Sequence, residues 1–227
     1  MRVKTLIIGD IRFQIKYGFY FLYLIFTILY ISLLHALPVT WREKAAVLMI
    51  FSDPAAMGLY FMGAIVLFEK SERVLNSIAV SPVKPIEYIV SKLISIALIS
   101  TIVGLSIGFV GGIIDKPFYF FIGIFLGSCL FSALGLMVAS NITTLNRFII
   151  ATIPVELIIN VPAIVWFFGW KPWWLIIHPG VCIIELCQNG DYVLPALFIL
   201  MVWMIPTLYY TRHKITKSLQ ALGGVKL

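Results

Sequence analysis

The chain has 227 residues, of which 61% are hydrophobic and only 12% charged, with a formal net charge of +7. A water-soluble domain carries about 25% charged residues, so there is too little polar side chain here to cover a globule in water, and most of the surface must face lipid. The basic residues flank apolar stretches instead of forming a patch. That pattern argues against a nucleic-acid partner and assigns them to orientation and anchoring at an anionic membrane surface.

Residues 1–16 place Val3, Leu6, Ile7, Ile11 and Ile15 at helical spacing with Lys4, Asp10, Arg12 and Lys16 around them. This predicts an amphipathic helix lying on the inner membrane surface. A first apolar stretch then runs from Tyr17 to Leu37, too long for the apolar region of a cleavable signal peptide. A helix needs about 20 apolar residues to cross a hydrocarbon core. Further stretches of that length run from about Ala45 to Phe68, Leu93 to Ile114, Phe118 to Ala139, Phe148 to Trp170 and Tyr192 to Thr211. The expected fold class is therefore an all-α integral membrane protein: one transmembrane domain, 1–227, with six transmembrane helices. A transmembrane barrel would instead show alternating strands of about 10 residues.

With both termini inside, the cytoplasmic segments hold 13 basic residues: Arg2, Lys4, Arg12, Lys16, Lys70, Arg73, Lys84, Lys92, Arg147, Arg212, Lys214, Lys217 and Lys226. The outside holds four, Arg42, Lys44, Lys116 and Lys171. The positive-inside rule thus predicts a multi-pass protein with cytoplasmic N- and C-termini. Before the last span, residues 171–191 are apolar but broken at Pro179-Gly180. They read as a re-entrant or interfacial hairpin on the outer face, with Trp173 and Trp174 at headgroup level.

The long inner loop, residues 69–92, reads as a docking device. Glu69 to Val80 can form one amphipathic helix, with Val74, Leu75, Ile78 and Ala79 on one side and Glu72, Arg73, Asn76 and Ser77 on the other. Glu69 and Arg73 are spaced i,i+4. Ser81-Pro82 ends that helix, and Pro85 suits the first turn of the next, which runs through Glu87 and Lys92 into the third span. A plain connection would need only about 2–8 residues.

Other constellations are sparse. No GxxxxGK[ST] loop occurs, so the chain is not expected to hydrolyse ATP by itself, and it is not read as an enzyme. There is no HExxH, and His35, His178 and His213 are scattered, which leaves no metal site. Cys129, Cys182 and Cys187 form no disulfide framework. Gly104-Leu105-Ser106-Ile107-Gly108 matches a nucleophile elbow literally but sits inside an uninterrupted apolar span, without the strand–turn–helix context that chemistry needs. Ser100, Gly104, Gly108 and Gly112 recur every four residues, and Gly123 and Gly127 repeat the theme on the next span, as expected of a helix-packing stripe. Two acids lie within spans, Asp53 and Glu156, with Asn160 one turn beyond Glu156 and Pro154 and Pro162 bracketing the pair. Such acids either line a translocation path or sit protonated against a neighbouring helix.

At the inner loop, FEKSERVLNSIAVSPVKPIEYIVSKL resembles ABC-2 type transporter permeases, particularly small prokaryotic fluoroquinolone or drug export permeases. The shared pattern falls on Glu72, Arg73, Val80, Ser81, Pro82, Lys92 and Leu93. Where many members carry Gly-Thr-Leu-Glu, this chain has Val74-Leu75-Asn76-Ser77. The resemblance implies a permease subunit in a prokaryotic plasma membrane, paired with a second permease as homodimer or heterodimer. It also implies a separate ATP-binding-cassette ATPase, with ATP and Mg in that partner and no cofactor in this chain. The ATPase would engage Glu69, Glu72, Arg73, Asn76, Ser77, Ser81 and Pro82 and drive an amphipathic small molecule outward. Two alternatives stay open: another cargo of the same superfamily (haem, glycan, peptide or Na+), and an ion-coupled carrier using Asp53 and Glu156.

Overall fold

The computed structural model describes residues 2–52 and 57–222, with side-chain surroundings through Gln220. Every regular element among them is helical. Helix α1 (Arg2–Lys16) leads through Gly18, whose left-handed φ of 80° turns the chain into α2 (Phe19–Ala36). Helices α3 (Val39–Ile50), α4 (Met57–Ser71) and the short α5 (Val74–Ala79) follow. Next come α6 (Pro85–Gly111), α7 (Pro117–Ala139) and α8 (Leu145–Phe167). A 3-10 turn (Trp173–Ile177) precedes α9 (Pro179–Gln188), and α10 (Val193–Leu222) closes the chain.

Boundaries follow local chemistry. Pro85 opens α6, and the Glu87 carboxylate accepts the Lys84 N–H at 2.8 Å, satisfying a donor the helix start leaves free. Gly112, at φ 70°, ends α6. Pro117 and Pro179 open α7 and α9 where their missing N–H costs nothing. Within α8, Pro162 leaves the Ile158 carbonyl without its helical donor.

Five described helices are long and apolar enough to cross a membrane: α2, α6, α7, α8 and α10. Of the stretch read as a second span, Ala45 to Phe68, the described residues are the latter half of α3, a π-type turn at Phe51 and Ser52, and most of α4, and residues 53–56 lie outside the described residues.

Helix α7 is central, packing against α4, α6, α9 and α10. The apolar windows of α6 and α7 are 56% and 61% buried, those of α2, α8 and α10 only 17–22%. The last three therefore form the outer staves of the bundle. Tight contact between α4 and α7 rests on small residues. Gly135 lies against the backbone of Leu59, and Gly58 lies against Ser128 and Ser132. A side chain at Gly135 has no flexible neighbour to displace. Gly135→Leu is expected to cost about 1–3 kcal/mol of overpacking, read as a lower unfolding midpoint in detergent. Gly9→Ala, on the exposed face of α1 with nothing within 4 Å, is the contrasting control and should gain up to about 1 kcal/mol from helix propensity.

The region after α8 differs from a surface hairpin in one respect. Trp173 and Trp174 are exposed, but every residue of α9 from Pro179 to Cys187 is buried, against α7, α8 and α10. At ten residues α9 is about 15 Å long, so it enters the bundle without crossing it.

Candidate functional site

One end of the bundle gathers α1, the ends of α4 and α7, the start of α6 and the last turns of α10. On α6, Tyr88, Lys92 and Ser95 fall at i, i+4 and i+7, hence on one face. Lys92 is 1% exposed and donates to Asp10 Oδ1 and to Glu69 Oε1, each at 2.5 Å. Tyr88 Oη donates to Glu69 Oε2 at 2.7 Å, and Gln14 Nε2 on α1 donates to Ser95 Oγ at 2.8 Å. Three helices, α1, α4 and α6, are thus joined through one buried ammonium. Burial pushes the Glu69 carboxyl up, and the Lys92 charge opposes that rise.

The structure corrects two expectations here. Glu69 is buried, at 3% exposure, and faces inward toward Lys92, so it contributes to holding the loop and not to its outer face. The segment Glu69 to Val80 is also not one helix. It breaks at Glu72-Arg73, where Arg73 takes a left-handed φ of 59° before α5 begins, and the i,i+4 relation of Glu69 to Arg73 is lost. The bend follows from packing: Glu69 is drawn to Lys92 on one side, while Leu75 is buried beneath α5 on the other.

What remains outward is contiguous. Glu72, Arg73, Asn76, Ser77, Val80 and Pro82 are exposed, with Ser81 half-buried at the α5 end. Arg2 donates to the Pro82 carbonyl at 3.1 Å, bringing the start of α1 to the same loop. Glu72 also lies beside Tyr17, and its hydrogen bond pushes that phenol up.

Two supports back this loop. Lys70 Nζ donates to the carbonyls of Ala139, Ser140 and Ile142 at 2.7–2.8 Å, capping the C-terminus of α7 with a positive charge where the helix dipole favours one. Half-buried, its ammonium is pushed down by loss of water. The last turns of α10 pack on α5, with Ile215 and Leu219 buried. At 30 residues, α10 is about 45 Å long, more than a crossing requires, and the excess forms this buttress.

A second constellation lies mid-bundle. Tyr60 Oη on α4 donates to Glu156 Oε2 on α8 at 2.6 Å. A cleft of about 360 Å³ runs between α3 and α8, lined by Leu48, Met49, Phe51, Ser52, Glu156 and Asn160 among others. Asp53 lies outside the described residues. Of the small-residue stripe, Gly104 and Gly108 meet Ile124 and Phe120 of α7, Gly123 and Gly127 meet Leu186 and Ile183 of α9, and Ser100 Oγ shares a 3.1 Å hydrogen bond with Tyr23 Oη. Gly112 does not belong to that stripe: exposed, with nothing within 4 Å, it serves only to end α6. Ser106 donates to its own helix, at Ile102.

The sequence reading leaves two acids without a role. It does not pair Asp10, set among the charges around the apolar face of α1, with Lys92, an inner basic residue on the family pattern. Yet Asp10/Gln14 and Tyr88/Lys92/Ser95 both repeat at helical spacing and signal facing polar rows. Glu185, completely buried on α9, accepts the Trp166 indole N–H at 2.7 Å and the Tyr192 backbone N–H at 3.3 Å, with Lys171 Nζ at 3.5 Å. It ties α8, α9 and α10 at the opposite end.

The helical bundle and its long apolar staves define an all-helical membrane protein. Comparison with known proteins makes this particular. The model of the fluoroquinolones export permease protein family matches residues 1–187, and the chain belongs to that family. It is similar to the fluoroquinolones export permease proteins of two Mycobacterium tuberculosis strains (CDC 1551 / Oshkosh and ATCC 25618 / H37Rv). Each is 26% identical over 164 residues, covering 72% of this chain and 69% of the relative.

Proposed function

We propose that this chain is the membrane subunit of an ATP-driven exporter and moves an amphipathic small molecule outward across a prokaryotic plasma membrane. In this reading the bundle crosses six times, with α3 and α4 together making the second crossing, α9 re-entrant from the outer face, and both termini cytoplasmic. The relatives' names support an export cargo of the fluoroquinolone kind. ATP and Mg belong to a separate cassette ATPase, and a second permease completes the path.

One observation carries the proposal: a loop that offers exposed Glu72, Arg73, Asn76 and Ser77 is fastened to the bundle by the buried Lys92 cluster and by Lys70. A push on α5 reaches α1, α4 and α6 together, because a buried ion pair yields only at a cost of several kcal/mol. A loop without a partner has no need of such fastening.

Reversing both charges, Glu72→Lys with Arg73→Glu, is expected to abolish nucleotide-dependent efflux while insertion and yield stay unchanged, since both side chains are exposed. Copurification with the ATPase and vesicle efflux check this. Efflux at the normal rate in the double variant would reject the loop as the coupling surface. Efflux driven by a pH or sodium gradient without nucleotide would reject the ATP-driven reading.

A further inference from the structure

The fastening at the inner loop is out of balance in charge. Asp10 and Glu69 share one ammonium, that of Lys92. With all three ionised, the cluster carries one uncompensated negative charge. The place is dry: the side chain of Lys92 is 1% exposed, that of Glu69 4% and that of Asp10 12%. Neutral donors do not make up the difference, because Asp10 Oδ2 is buried with no partner. The titratable and charged groups that act on Glu69 are Lys92 and Tyr88 of α6 and Asp10 of α1. Of the other elements packed on α4, α7 brings the Cys129 thiol, which turns to the Leu93 carbonyl at 3.9 Å. Lys70 faces the end of α7. Arg73 before α5 and Arg147 on α8 are exposed and outside the ion pairs of the cluster.

A buried carboxylate without compensation takes up a proton instead of staying charged, and two carboxylates in one site oppose each other's ionisation. Lys92 Nζ donates to Asp10 Oδ1 and to Glu69 Oε1, and an ammonium paired with one carboxylate is already neutral. The Tyr88 phenol, 2.7 Å from Glu69 Oε2, can accept as well as donate, so it meets either form of that carboxyl. Burial favours the neutral form of Glu69 in the same direction. We propose that the Asp10–Glu69 pair is a proton-binding site that holds one proton at neutral pH, lodged chiefly on Glu69, and that α1 is held less firmly to α4 and α6 once that proton leaves. The proton enters from the aqueous phase at that end by way of Asp10, the most exposed member of the cluster. This site goes beyond the export reading and stands whether or not an ATPase engages the loop.

Infrared spectroscopy of the full chain in nanodiscs separates a carboxylic acid from a carboxylate by its carbonyl stretch. At neutral pH the wild-type chain is expected to show an acid band that is missing from Glu69→Gln and equally from Asp10→Asn, because either change leaves one carboxylate for one ammonium. Asp10→Asn is the telling variant: a Glu69 proton held by burial alone would keep its band there. Stability gives a second readout. Between the ordinary carboxylate range and the raised value, the folded chain binds one proton more than the unfolded chain, so stability falls as pH rises. Across that window the unfolding constant of the wild type, relative to that of Asp10→Asn, should grow about tenfold per pH unit. If neither variant folds, the wild-type chain decides: its acid band must disappear in a one-proton step as pH is raised, and that step must survive in Glu156→Gln. No acid band at neutral pH, a band kept in Asp10→Asn, or a ratio of unfolding constants flat with pH would overturn the site.

Discussion

Replacing Lys92 with Met should cost about 3–5 kcal/mol of stability, the usual penalty for removing one partner from a buried ionic cluster. Asp10 and Glu69 would be left facing each other with no cation between them, and Asp10 Oδ2 already has no partner. Lys92→Arg is also expected to destabilise, because a planar fork does not replace a compact ammonium between two carboxylates already at 2.5 Å. The informative comparison is the triple variant Asp10→Asn, Glu69→Gln, Lys92→Met, which removes every formal charge and should regain most of the loss. Thermal unfolding in detergent ranks the variants. The triple variant should still transport less well than the wild-type chain, because α1 would no longer be ionically fastened to α6. A Lys92→Met protein as stable as the wild type would show that α1 is held by its apolar contacts alone.

Glu185 is the second position where a single atom set carries much. Glu185→Ala strands the Trp166 indole N–H and the Tyr192 N–H in a buried place and opens a cavity. The sum is about 2–4 kcal/mol, from one to two unmet donors and the lost packing. Glu185→Gln keeps an acceptor for Trp166 and should lose much less. Lys171, which is exposed and 3.5 Å away, adds little by itself, so Lys171→Ala should be nearly silent. Loss of intrinsic Trp fluorescence anisotropy near Trp166, together with the unfolding midpoint, reads the difference.

The long apolar helices were legible because their signal is additive: about 20 apolar residues in a row need no tertiary partner to be recognised. The start at Pro85 was written in local chemistry as well, whereas Gly112, expected in a packing stripe, ends α6 instead. Where a residue serves two neighbours, legibility ended. Glu69 looks like the first polar residue of a docking helix, and only the approach of Lys92 from 23 positions away turns it inward. Arg73 likewise looks helical until Leu75 is buried and the chain must bend. Glu185, in an apolar stretch with Pro179-Gly180, is a missed acid whose partners sit 19 residues before it and 7 after it.

The family resemblance at the inner loop and the membership shown by comparison agree on class, and both were within reach of the sequence. Membrane residence and all-helical build were likewise determined by composition and run length alone, because lipid tolerates no unsatisfied backbone and leaves few alternatives. Only the tertiary structure decided that α9 is buried within the bundle, that the inner loop bends at Arg73, and that Asp10, Glu69 and Lys92 meet. Those outcomes depend on which faces of different helices come together, and the pairing of a buried charge is a property of the assembled bundle, not of any one segment.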